Sequence, residues 1–180
     1  ARIRREDGLL VADFNLISPI MSARTKMRFA APYPHALVSL EYSPTPEASA
    51  GSGAGHYAEV RGTTLLVRSE AGEETRPYEK TYTLVDYLAS NLWAALAPTP
   101  GSTLVVHDLD PETLVSSDIT YSAVESETFG PHPMSGRFQT IISEGGVLSA
   151  HDRFGNLLVA KESYGLEVRA NLDGTSTQER

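Results

Sequence analysis

Along most of the chain, apolar side chains come in short runs separated by Gly, Pro, Asn and Asp, which is the rhythm of strands and turns. Runs at 9–20, 25–30 and 36–42 come first. The third carries Leu37, Val38 and Leu40, and Pro44 and Pro46 stop it, because proline cannot donate to a ladder. Runs at 56–61 and 63–69 break at Gly62, and the turn Glu70-Ala71-Gly72-Glu73 leads into 75–82, which predicts a hairpin. Strand patterning resumes at 103–109, 119–128, 137–143, 147–151, 157–162 and 166–172. The turn residues between these runs include Asp110-Pro111-Glu112, Phe129-Gly130-Pro131, Glu144-Gly145-Gly146, Arg153-Phe154-Gly155-Asn156 and Tyr164-Gly165.

One segment breaks this rhythm. At 83–97 the period is helical, with Leu84, Leu88, Leu92, Ala95 and Leu96 on one face, so Leu88 and Leu92 are expected to point into the core. Thr83 is placed to cap the first turn and Asp86 to reach back to it, while Pro98-Thr99-Pro100-Gly101 ends the helix. The expected fold is mainly β within the α+β class. It is a curved antiparallel meander or half-barrel, covered by one helix at about 83–97, in a single domain over 1–180. The stretch 44–55 has small side chains and many glycines, and reads as a flexible loop dispensable for folding.

Composition narrows the partners. The 180 residues carry 15 Lys and Arg against 23 Asp and Glu, a formal charge of -8. Such a balance argues against a nucleic-acid partner. A hydrophobic fraction of 41% is ordinary for a globular domain, and no apolar run is long enough to span a bilayer. The absence of cysteine excludes thiol nucleophiles, disulfides and thiolate metal sites within these residues. The chain opens at Ala1 rather than at methionine, so a processed terminus or a boundary within a longer chain is expected.

Candidate chemistry is sparse. His107-Asp108 and His151-Asp152 pair an imidazole with a carboxylate, but consecutive strand residues point to opposite faces, so these groups should diverge. Glu125 and Glu127 share a strand face and read as an exposed polar row. His35, His56 and His132 lie beside prolines or the glycine-rich loop and are expected to be exposed. Gly51-Ser52-Gly53-Ala54-Gly55 has neither the strand-to-helix setting of a dinucleotide loop nor a Gly-Lys-Ser/Thr ending, and no serine sits in a Gly-x-Ser-x-Gly elbow. No catalytic residue, metal or cofactor is therefore expected. Trp93 falls at the edge of the leucine stripe, where it closes the core or rims a groove.

From residue 82 onward the order of features resembles a known module. It comprises Thr83-Leu84-Val85-Asp86-Tyr87-Leu88, then Asp110-Pro111-Glu112-Thr113-Leu114, a long hairpin, the strand after Gly146, Asp152-Arg153-Phe154-Gly155-Asn156-Leu157-Leu158, and Gly165-Leu166-Glu167-Val168. This is similar to the non-catalytic N-terminal module, of lipoprotein-carrier-like fold, found ahead of transglutaminase-like domains in bacterial envelope proteins. The resemblance implies a periplasmic or extracytoplasmic location and a downstream domain holding the catalytic cysteine, histidine and aspartate. A non-enzymatic accessory or binding module is the leading expectation, with the downstream domain or an envelope protein as partner. A periplasmic carrier or sensor of an apolar ligand, such as a lipid or lipoprotein acyl chain, is the first alternative, with Leu92, Trp93, Phe138 and Ile142 as candidate lining. A small hydrolase using His151, Asp152 or the Glu125 and Glu127 pair is the second.

Overall fold

A computed structural model describes residues 2–17, 22–44, 54–125, 139–161, 167–170 and 176–179. Among them are fourteen strands and one helix, and all the strands pair in two antiparallel sheets of seven. The chain is mainly β with one helix, as the patterning predicts. By its internal contacts it divides into two compact units, residues 1–87 with 108–117, and residues 88–107 with 118–180. Where one meander was expected there are two sheets, because the helical segment interrupts the hairpin succession and a new sheet starts after it.

The first sheet runs in strict sequence order through β1 (Arg2–Glu6), β2 (Leu9–Ile17), β3 (Ser22–Ala30), β4 (Leu37–Pro44), β5 (His56–Arg61), β6 (Thr64–Ser69) and β7 (Gly72–Pro77). Its first hairpin was not read from the apolar pattern, since β1 is almost wholly polar. Asp7-Gly8 nevertheless has the chemistry of a two-residue turn, with φ of 50° and 80° at the two positions. One row of residues crosses all seven strands in register: Arg2, Asp13, Lys26, Glu41, Tyr57, Arg68 and Glu73. Its charges alternate in sign, and Arg4 and Arg24 pair with Asp13, Arg28 with Glu41, and Arg68 with Glu73. Alternate residues turn inward to a core in which Phe29, Leu40, Leu65 and Ala12 are at most 2% exposed. Phe29 meets the rings of Tyr82 and Tyr87 at 6.4 and 6.3 Å.

β7 ends at Pro77, earlier than the expected 82. Tyr78 and Tyr82 are both buried beyond it, and the Tyr82 backbone N–H donates to the Tyr78 hydroxyl at 2.7 Å. Two histidines expected to be exposed are half-buried. His56 stacks on Tyr42, its register partner, at 5.5 Å, and His35 Nδ1 lies 3.2 Å from the Ala30 carbonyl. His132, residues 45–53 of the glycine-rich loop and Glu127 lie outside the described residues, while Glu125 is exposed.

The helix, α1 (Leu84–Ala95), starts as its capping residues predict. Thr83 Oγ1 accepts the Asp86 N–H at 3.2 Å, and Asp86 Oδ2 accepts the Thr83 N–H at 2.8 Å, a reciprocal box that satisfies two end groups. Its buried side is a correction. Leu92 is 50% and Leu96 80% exposed, whereas Leu84 and Ala94 are buried and Tyr87 and Asn91 partly so. A strict i, i+4 repeat drifts by about 40° per step at 3.6 residues per turn, so 84, 88, 92 and 96 spiral out of any one interface. The 84, 87, 91, 94 alternation holds its direction.

The second sheet has the order β14 (Ser176–Glu179), β13 (Glu167–Ala170), β12 (Leu157–Lys161), β11 (Leu148–His151), β10 (Gln139–Ser143), β9 (Ser116–Val124) and β8 (Thr103–Leu109). On one of its faces Ala150 and Val159 are fully buried, with Leu148 and Leu158 packed against them.

Candidate functional site

The opposite face of the second sheet carries the site. Antiparallel register sets Tyr121 beside Ser143, Ala123 beside Ile141, Ile141 beside Ser149, Ser149 beside Ala160 and His151 beside Leu157. Side-chain alternation puts these residues of β9 to β11 and Ala160 on one side, and the register shift between Ala150 and His151 brings Leu157, three residues from Ala160, to the same side. Apart from Ala123, they line with Ser90 and Asn91 of α1 an open groove of about 630 Å³, within the range of small-molecule sites. Ile119, Tyr121, Ile141, Val147, Leu157 and Ala160 make it largely apolar, and Asp118 and Glu144 stand at exposed positions along it.

One carbonyl ties this site together. The Gly155 oxygen accepts from Asn91 Nδ2 at 2.9 Å and faces His151 Nδ1 at 3.2 Å, joining helix, turn and strand at a single atom. The residue must be glycine. Its φ is +80°, and a β-carbon there would collide with the Asn91 carbonyl and lie 3.1 Å from the Ala95 Cβ. A carbonyl only accepts, so His151 Nδ1 carries the hydrogen and Nε2 of the neutral ring presents a lone pair. That lone pair faces Ser149 Oγ at 3.1 Å, and the same hydroxyl lies 3.3 Å from the Ile141 carbonyl. Burial pushes the His151 pKa below its usual value, outweighing the opposing effects of the Gly155 carbonyl and Asp152.

Asp152, the sequence neighbour of His151, is turned away as strand alternation requires. Its carboxylate accepts the Phe154 and Asn156 N–H groups at 2.8 and 2.9 Å, and so builds the turn. His107 likewise finds its carboxylate on the adjacent strand rather than at Asp108: its Nδ1 lies 3.2 Å from Asp118 Oδ1. Among the described residues, no group of three or more His, Asp and Glu could hold a metal ion.

Of the sequence-proposed lining residues, the three that are described, Leu92, Trp93 and Ile142, do not line this groove. Leu92 is half exposed and Trp93 partly buried on α1, next to the Ser90 and Asn91 that do line it. Ile142 points to the other sheet face, one residue out of phase with Ile141, and Phe138 lies outside the described residues. The overlooked signal is Ser149-Ala150-His151, two polar residues at period two in a strand, which share a face where a His-Asp dipeptide cannot. No helix among the described residues is long and apolar enough to cross a membrane. Comparison with protein-family models, with curated proteins and with solved structures finds no match to this chain.

Proposed function

We propose that the chain is a binding module whose second unit holds a small, largely apolar ligand, the carrier or sensor reading of the sequence. The observation that carries it is the groove of about 630 Å³, whose exposed lining is largely apolar, with Ile119, Ile141, Val147 and Leu157 around the hydrogen-bonded pair His151 and Ser149. A polar pair in an apolar trough orients a ligand, while the Asp152 carboxylate needed for a His-Asp catalytic set is committed to its turn. An extracytoplasmic bacterial setting, and service as an accessory module to a transglutaminase-like domain, are supported by the motif order from Thr83 to Val168.

The test fills the groove. Ala160 sits beside Ser149 in the lining, so Ala160→Trp should abolish binding of the neutral apolar dye Nile red while circular dichroism stays unchanged. Dye binding equal to that of the parent protein, with the variant folded, overturns the reading.

A further inference from the structure

We propose that the groove is also a site of acyl transfer, in which Ser149 attacks a bound medium-chain ester with His151 as its base; this goes beyond binding and rests on the groove being where the ligand lies. The nucleophile and the base are already in contact. Ser149 Oγ lies 3.1 Å from His151 Nε2, within reach of a direct proton transfer, and the two residues stand at period two on β11, so both face the groove. A third group orients the base. The Gly155 carbonyl, 3.2 Å from His151 Nδ1, draws the ring hydrogen to that nitrogen and leaves the lone pair on the one beside Ser149. Asn91 Nδ2 holds the same carbonyl from α1 at 2.9 Å, so the acceptor that sets the tautomer is itself fixed. A hydroxyl, an imidazole and an orienting acceptor are what an activated serine requires, and here a backbone oxygen stands where a carboxylate serves in the Ser-His-Asp arrangement.

The surroundings suit the reaction. His151 is only 3% exposed, and burial lowers its pKa, which keeps the ring unprotonated and able to take a proton at neutral pH. The Ile141 carbonyl, at 3.3 Å, is the more distant of the two acceptors that the single Ser149 hydrogen can serve. In the reaction Ser149 Oγ bonds to the ester carbonyl carbon as its proton passes to His151 Nε2; the bond from that carbon to the leaving oxygen then breaks, and the proton goes on to the leaving alkoxide. Water repeats the sequence on the acyl-serine, releasing the carboxylic acid and restoring the hydroxyl. Ser143, diagonal to Ser149 on β10, has an Oγ that accepts the Val147 N–H, and its own hydrogen is a donor that the lining offers to the developing oxyanion. The acyl chain would lie along Ile119, Ile141, Val147 and Leu157.

Two probes on the full chain at neutral pH test this. A long-chain alkyl fluorophosphonate leaves a stable phosphonyl group on an activated serine as fluoride departs, and peptide mass mapping should find that group on Ser149. With p-nitrophenyl octanoate, read as release of p-nitrophenolate, Ser149→Ala and His151→Gln should each slow turnover by about a hundredfold, the scale of an assisted proton transfer. An unmodified Ser149 overturns the proposal, and so does turnover in either variant equal to that of the parent protein. The mapping uses the unaltered chain, so it decides even where a variant fails to fold. If Ser149 stays unmodified while Nile red binds in a manner lost with Ala160→Trp, this inference fails and the binding reading stands; dye binding insensitive to Ala160→Trp fails the reading itself.

Discussion

The two sheets have the same strand count and the same antiparallel pairing, yet the inward face of the first is packed with large side chains while one face of the second borders an open, largely apolar groove. In the first, the inward positions hold Phe29, Leu40, Met27 and Tyr42, which fill their space, and the outward positions carry the alternating row from Arg2 to Glu73. In the second, Ser143, Ser149, Ala160 and Gly145 stand where larger groups would be needed to fill the groove face. Side-chain volume, more than topology, separates a packed core from an open groove.

The sharpest way to break this comparison is to hollow out the first sheet. Phe29→Ala removes a fully buried ring with two aromatic neighbours and should cost about 3 to 5 kcal/mol in denaturant unfolding. A loss below about 1 kcal/mol would mean that this core is no better filled than the groove.

Gly155→Ala probes the second unit at its junction. Strain at positive φ and the clash with Asn91 should together cost roughly 2 to 4 kcal/mol and weaken dye binding, because Gly155 also positions His151. A mild effect on both readouts would show that the turn gives way easily and does not organise the groove.

Acid should act through His151. Its folded pKa lies below the unfolded value near 6.5, so the unfolded chain takes up a proton that the native groove resists. The stability contributed by the neutral buried ring is full above about pH 6.5 and is lost as pH falls toward the folded pKa. His151→Gln should flatten that part of the stability curve. An equally steep decline in the variant would assign the acid sensitivity to other groups.

The smallest effect is expected at Leu92→Ala. Read from the stripe alone, Leu92 belongs to the core; at 50% exposure its truncation should shift stability by no more than about 0.5 kcal/mol, measured by thermal melting. A core-sized loss would restore the leucine stripe as the buried face.

The local code of this protein was legible in its sequence. Short-range chemistry placed β8 at 103–109, the Thr83 and Asp86 cap, and most of the hairpin turns, because period, proline and glycine act over a few residues. Polar strands such as Arg2–Glu6 and Ser176–Glu179 gave no apolar signal, since their place comes from pairing with a neighbour rather than from burying a face. The groove depended on relations the sequence does not display. Which of Ile141 and Ile142 faces it is a matter of register, and a shift of one residue exchanges the two. The convergence of Asn91 and His151 on Gly155 joins residues up to 64 positions apart, and only tertiary packing brings such distant groups to one atom.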